Sequence, residues 1–447
     1  MKNLLILVIY LFLFNLVKSQ NWSPLGEGIP YMEGPRVIYA DSLENYLYAG
    51  GNMHYESNGR WFNSIARWNG SYWDTLGSGI IGSGNVLAIE RYNGELYVGG
   101  AFSYAGGKSA RNIAIWSGNN WDTLLVQPFA NNSDAAIWAM KKINNKLYIG
   151  GQIYNVSGIP CYGVAEWDGN NWHGIDFPNL QWFVSINAIA EFNGEMYVAG
   201  SFCYDLNDTI NNILRWDGIS WHSVNGGLPG ISTYIQSMVV YNSELYIGGY
   251  FFIAEGNKGN FIQKWNGTSW SKVGNGGPDG QIYQLIVHKG LMLAMGVSEK
   301  IFVWDKINWT IIENTFGSVI NSAAIYNDTL HVGGSFITID GDSVNHIVKW
   351  TGGNYTDTEF INTSNYNNSY ILLLPNPFSF TTTIKLSTPL QNASLIIYDI
   401  LGRKIRHFHN LEGKEVVINR EGMQDGIYYY SIFDVEGLIG TGKMILE

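Results

Sequence analysis

The sequence predicts an almost all-β protein, on three observations. Charged residues make up 14 % of the 447-residue chain, whereas aromatics reach 15 %. Its 53 glycines far outnumber its 11 prolines, a balance that suits strands and tight turns better than helices. Short apolar runs closed by turns such as Tyr92-Asn93-Gly94 recur along most of the length, as hairpins do.

The first 19 residues carry a lone Lys2, an apolar run from Leu4 to Val17 and then Lys18-Ser19. This reads as a secretory leader cleaved after Ser19, not as a membrane span of about 20 residues. No later stretch is apolar for long enough to cross a bilayer, so no integral membrane segment is expected once the leader is gone. The net charge of −11 becomes −13 without Lys2 and Lys18, which leaves no broad basic face for nucleic acid.

Between residues 20 and 360 the chain repeats itself. Trp73, Trp121, Trp172, Trp221, Trp270 and Trp309 follow one another at spacings of 48, 51, 49, 49 and 39 residues, with Trp22 fitting upstream and Tyr355 downstream. A period near 50 is that of a β-propeller blade and lies above the common helical repeats. In one unit, Val86-Leu87-Ala88-Ile89, Leu96-Tyr97-Val98-Gly99-Gly100, Asn112-Ile113-Ala114-Ile115-Trp116 and Trp121-Asp122-Thr123-Leu124 make four short strands. The second of them recurs seven times, from Leu47-Tyr48-Ala49 to Leu330-His331-Val332. The expectation is a seven-bladed β-propeller of four-stranded blades. Trp22 is favoured over Tyr355 as the strand that closes the ring. The 39-residue spacing in blade six removes length between Gly296 and Lys300 and predicts a notch in one rim.

Residues 361–370 form a linker, polar and aperiodic from Asn362 to Asn368, and 371–447 read as a small β-sandwich broken at Pro375, Gly402, Gly413 and Gly437,. Two resemblances follow. A strand ending in Gly-Gly, then a Trp or Tyr strand, a short turn and a second Trp resembles the kelch-type propeller repeat from about Trp22 to Phe360, which implies fold but not function. In the tail, Leu374-Pro375-Asn376-Pro377-Phe378, Tyr398-Asp399-Ile400-Leu401-Gly402-Arg403, Gly426-Ile427-Tyr428 and Gly442-Lys443-Met444-Ile445 resemble the type IX secretion sorting domain, type A. That resemblance implies that Pro375, Asn376, Pro377, Tyr398, Asp399, Gly402, Arg403, Gly426, Tyr428, Gly442 and Lys443 belong to the sorting motif. It further implies export through the periplasm, with the type IX machinery as a partner, to the cell surface or the medium.

Catalytic and metal-binding signatures are missing from the sequence: no nucleophile elbow, phosphate loop, dinucleotide fingerprint or paired histidines at zinc spacing occur,. No cofactor is implied. His173 and His222 follow equivalent tryptophans and read as surface residues of outer strands. His331 and His346 fall in one blade, with no copper-oxidase constellation around them. Asp205, Asn207 and Asp208 suit a polar turn better than a calcium loop. Cys161 and Cys203 lie beyond the same strand of neighbouring repeats, where an oxidising exterior permits either a disulfide or two separate small side chains. The recurrent tryptophans read as blade-edge packing.

The long connections, between second and third strands and from blade to blade, must emerge on one face. They carry aromatics outside the repeat, among them Tyr55, Phe62, Phe129, Tyr154, Tyr162 and Tyr204, and we single out Trp61, Tyr104 and Trp182 as ligand-binding candidates. The alternative is that these rings fill gaps between loops. The expected function is a secreted or surface-bound binding protein for glycan or protein. An extracellular hydrolase or lyase acting on polysaccharide is the competing reading.

Overall fold

The computed structural model describes residues 21–355 and 371–446, except 30–33, 58–59, 82–83, 125–134, 176–183, 204–210, 231–232, 313–314, 354, 400–402 and 435–436. The leader and the 361–370 linker lie outside the described residues, as do Phe129, Trp182, Tyr204, Asp205, Asn207, Asp208 and Gly402.

Seven four-stranded antiparallel sheets succeed one another along residues 22–350, and each neighbours the next through its innermost strand. Blade two shows the plan. From hub to rim it has Asn85–Tyr92, Glu95–Ala101, Ile113–Trp116 and Trp121–Asp122. The seventh sheet is completed from the N-terminus: Trp22–Pro24 pairs with Ile347–Trp350, with Trp22 opposite Trp350. Trp22 therefore closes the ring. Tyr355 lies in a turn and the residues that follow it fall outside the described ones; its ring is buried beside Trp350, and its hydroxyl lies 2.6 Å from His288 Nδ1.

The repeated residues explain how blades join. At the rim, the tryptophans of the third and fourth strands pair with ring centroids 5.0–5.5 Å apart in every blade, each pair contributing about 0.5–1.5 kcal/mol beyond its burial. The outer tryptophan then reaches one blade back. Trp73 Nε1 donates to the Leu25 carbonyl, Trp270 to Val224 and Trp309 to Val273, at 3.0, 2.9 and 2.8 Å. Each acceptor lies three residues after the previous blade's outer tryptophan, so a spacing in sequence becomes a stitch in space. Nearer the hub, the phenols of Tyr92, Tyr241 and Tyr326 donate to the next blade's first turn. Blade one has Asp41 at that position, and there Arg91 of blade two pairs with Asp41 and Glu44 instead.

The Gly-Gly pairs are required by crowding. A Cβ on Gly99 would meet Ile137 of the next blade at 2.9 Å, and one on Gly100 would sit 2.0 Å from the Asn85 carbonyl oxygen of its own inner strand,.

Blade six joins its second and third strands through residues 297–300 alone, between Leu291–Gly296 and Ile301–Trp304, so the notch is present. Blade one departs from expectation. Its second-to-third connection is absorbed into two long strands, Tyr46–Ser57 and Arg60–Trp68, that continue pairing past a register shift as far as Ser57 opposite Arg60. Tyr55, Trp61 and Phe62 are therefore strand residues, not loop residues, and Phe62 is buried in the blade-one core. Cys161 is buried in the core between blades two and three; the side chain of Cys203 lies outside the described residues.

The tail forms five strands. The 19-residue strand Thr381–Asp399 is its spine: its first part pairs with Ile371–Leu374, its last part with Gly426–Asp434, and both parts with Lys404–Asn419. Three register shifts between Lys385 and Leu395 bend the spine, so that Ile384, Leu386 and Ile418 from one half pack in a common core with Leu395, Ile432 and Met444 from the other, as two faces of a sandwich do. Among the described residues, no helix is long and apolar enough to cross a membrane.

Candidate functional site

At the hub the inner strands converge, and all but the first carry a bulge at the same place: between Val86 and Ala88, Ile137 and Ala139, Ile186 and Ala188, Ile235 and Ser237, Ile282 and Gln284, and Ile320 and Ser322. A bulge leaves one residue unpaired and turns it off the ladder. The six residues so released, Leu87, Trp138, Asn187, Gln236, Tyr283 and Asn321, line a cavity of about 350 Å³ at the central channel. Arg36 of blade one joins them; its N–H donates to the Gly50 carbonyl at 2.8 Å. The cavity opens on the face where inner strands begin, which is the face of the long connections.

The flanking positions are uniform where these seven are not. The residue before each bulge is Val or Ile and packs against the Gly-Gly pair; the residue after it is Ala or Ser in five of the six bulged strands. Small residues there keep the hub open. Two serines and two asparagines also tie blades together. Ser237 Oγ accepts the N–H of Leu285 at 2.9 Å and Ser322 Oγ that of Ile38 at 3.0 Å. Asn187 Nδ2 donates to the Ile235 carbonyl at 3.1 Å, and Asn321 Nδ2 to the Pro35 carbonyl at 3.2 Å. Blade-to-blade bonds thus fix the mouth in a rigid geometry, and Trp138, 36 % exposed, presents its indole there. On the same inner strand as Leu87, burial pushes the Glu90 carboxyl up to about 7, against the pull of Lys141 and Lys142.

Of the residues singled out from sequence, Trp61 is 55 % exposed and stacked on His54, with centroids 5.0 Å apart and planes 25° apart. Tyr104, 49 % exposed, sits in a two-residue strand paired with Lys108–Ser109 and Ile80–Ile81. Neither lines the central cavity, and Trp182 lies outside the described residues. Sequence reasoning missed the mouth. The signal was present as the one position in each repeat that varies freely between two that do not.

His173 is exposed and His222 half-buried, and they bond to Asp168 and Asp217, at 2.8 and 2.7 Å. Each aspartate also accepts two turn N–H groups. The His173 contact, then those N–H groups, hold Asp168 down at about 2. These are surface turns of the outer strands.

In the tail, the motif residues are the joints of the sandwich. Asn376 Oδ1 accepts the Ile445 N–H at 2.7 Å and its Nδ2 donates to the Lys443 carbonyl at 3.2 Å, so a side-chain amide takes the place of a neighbouring strand. The Asn376–Pro377 bond is cis, and Phe378 beyond it is buried, its N–H donating to the Ile445 carbonyl. Thr382 Oγ1 donates to the Pro375 carbonyl. Asp399 closes its hairpin by accepting from the Arg403 backbone and Nε, at 2.9 and 2.7 Å, while Tyr398 pairs with Tyr429 and Lys404 across the spine. The Tyr428 hydroxyl bonds both backbone groups of Gln424, Gly426 has a φ of 148°, and a Cβ on Gly442 would strike the Tyr430 ring at 2.4 Å.

Comparison with known proteins agrees on the tail. Residues 372–447 match the family described as secretion system C-terminal sorting domain. No curated protein matches the chain. Among solved structures, PorZ, a bacterial surface component of the type-IX secretion system of Porphyromonas gingivalis, is 14 % identical with a TM-score of 0.47; the match covers 94 % of this chain and 60 % of that one. The chain thus spans 60 % of the length of PorZ. YCF48 from Cyanidioschyzon merolae and the WD40 propeller domain of Doa1 are each 11 % identical with TM-scores of 0.45, covering 74 % of this chain and 98 % and 96 % of theirs. With its blades and its matched tail together, this chain is a β-propeller protein that carries a type IX secretion C-terminal sorting domain.

Proposed function

We infer that the chain is an exported binding protein whose propeller holds a glycan at the mouth of its central channel. The observation that carries the reading is the pattern at the mouth: seven equivalent backbone positions bear Arg36, Leu87, Trp138, Asn187, Gln236, Tyr283 and Asn321 where the scaffold around them repeats. Scaffold packing asks for the same residue in each blade, whereas recognition of an asymmetric ligand asks for different ones. The chemistry fits a sugar. Indole and phenol faces stack on its apolar side, and amides and a guanidinium meet its hydroxyl or acid groups. The cavity volume lies within the range of about 300–1,000 Å³ typical of small-molecule sites. A leader at residues 1–19, blades of kelch type and a route through the periplasm belong to the same reading, which ends outside the cell. Trp61, Tyr104 and Trp182 would then act as outer contacts on the same face.

The test incubates the mature protein with a panel of polysaccharides and their oligosaccharides, alongside Trp138→Ala. Retention without turnover, lost in Trp138→Ala, is the expected result. Turnover of a polysaccharide would replace this reading with a hydrolase or lyase. Retention unchanged in Trp138→Ala but weakened by alanine at Trp61 or Tyr104, with thermal stability unaltered, would move the site to the rim.

A further inference from the structure

A row of rings begins beside the mouth, two residues before Gln236 on the inner strand of blade five. Tyr234 begins the inner strand Tyr234–Tyr241 of blade five, and Tyr250 ends the second strand, Glu244–Tyr250, directly opposite. Their rings stack with centroids 5.6 Å apart and planes at 21°. Tyr250 meets Phe252 edge-on at 4.8 Å, and Phe252 meets Phe261 at 5.2 Å. All four of these rings keep some exposure to solvent. The row runs from hub toward rim on the long-connection face.

Two independent features bear on it. The neighbouring blade six is the one whose second-to-third connection shrinks to residues 297–300, so no long loop rises from that side. The other is backbone strain. Phe261 has a φ of 60°, at the position where other blades place Ser64, Asn112, Gly163, Asn212 and His346, all with positive φ. Asn112 and Asn212 exploit that left-handed conformation, their Oδ1 atoms accepting the N–H of Phe102 and Phe202; a bulky ring gains no such bond and is strained there. The loop holding Phe252 is pinned by Asn257, which donates to the Pro229 and Phe252 carbonyls at 3.1 and 3.0 Å, and by Asn260, which accepts the Ile253 N–H at 2.8 Å. The shelf is preorganised, as a binding surface should be.

We propose that the binding site continues from the channel mouth along the Tyr234, Tyr250, Phe252 and Phe261 shelf of blade five, so that the ligand is an oligosaccharide several rings long and not a single sugar. The proposal rests on the glycan reading above. A flat, partly exposed row of rings, ending in amides at the mouth, matches a chain of sugar rings with alternating apolar faces and hydroxyl edges. An apolar peptide helix would instead require a groove walled on both sides, and blade six supplies no second wall.

Isothermal titration of the full mature chain with cello-, manno- and chito-oligosaccharides of one to six rings tests it. In whichever series binds, affinity is expected to rise about tenfold between one ring and four, the worth of one or two added stacking contacts. Tyr250→Ala and Phe261→Asn should each abolish that gain while leaving one-ring affinity unchanged, and Phe261→Asn should also raise the melting temperature by relieving the strained backbone. Trp138→Ala should weaken every length alike. If one ring binds as tightly as four, or if Phe261→Asn keeps the gain, the shelf is not part of the site although the mouth reading survives. If no sugar of any length binds, or only an aromatic-binding peptide is retained, both fall together.

Discussion

Two buried ionisable groups in the propeller pull its acid stability in opposite directions, and single substitutions should expose the balance. His331 occupies the second-strand position that holds Tyr48, Tyr97, Tyr148, Tyr197 and Tyr246 in blades one to five. Its Nδ1 donates to the Thr329 carbonyl at 2.9 Å, and burial pushes its pKa down to about 4 from 6.5. The unfolded state therefore binds the proton first. Stability from this site is complete above pH 6.5 and is lost as pH falls toward 4, by about 1.4 kcal/mol at pH 5.5 and about 2.5 kcal/mol at pH 4.5. Glu90 works the other way. Its carboxyl, raised from 4.5 to about 7 by burial, is protonated first in the folded state, so its contribution is full below 4.5 and is lost as pH rises through 7. Acidification from pH 7.5 to 4.5 returns about 2 kcal/mol, after allowance for the water that reaches it. Urea unfolding at pH 7.5, 5.5 and 4.5 should accordingly show little net change in the wild type from these two groups. In Glu90→Gln stability should fall by about 2.5 kcal/mol over that range, while in His331→Tyr it should rise by about 2 kcal/mol. A flat profile in Glu90→Gln, or a falling one in His331→Tyr, would refute the assignment of these two sites.

Three further outcomes are expected. Trp22→Ala removes a buried ring lying 5.3 Å from Phe316 and 5.0 Å from Trp350, and chemical denaturation should show a loss of about 3–5 kcal/mol; a loss below about 1 kcal/mol would mean that the ring is closed by something else. Asn376→Ala should destabilise the sandwich by about 1–3 kcal/mol through its two lost backbone contacts, seen as earlier melting of the tail with the propeller transition unmoved. Deleting residues 370–447 should leave a folded propeller stranded in the periplasm, and fractionation finding it outside the cell at wild-type levels would overturn the targeting role of the tail.

The repeat made the blade plan readable because a ring imposes the same contacts seven times. Trp73, Trp121, Trp270 and Trp309 each reach one blade back, and so an outer tryptophan recurs. The same logic exposed the notch in blade six and the closing role of Trp22. The mouth escaped for the opposite reason: Trp138 and Gln236 occupy one structural position yet share no chemistry, and alignment by similarity passes over them. Trp61 falls in a strand and not in the expected loop because turn length cannot be read from the blade period. Residues between Gly51 and Ile65 can form either an arch or a pair of prolonged strands, and the choice is made by the cross-strand pairs from His54–Asn63 to Ser57–Arg60. The shelf on blade five depends on the φ of Phe261, which no residue type announces.

The strand that seals the propeller, Trp22–Pro24, is made first, and its partner Ile347–Trp350 is made last among the blades. A ribosome that stalls anywhere in between releases an incomplete circle with two raw edges. The address for export begins only after that partner, at residue 372. Every chain that bears the address has therefore been translated through its final blade, and a fragment unable to shut its circle lacks the sorting tail. The order of elements along the chain thus couples the sorting tail to a complete set of blades.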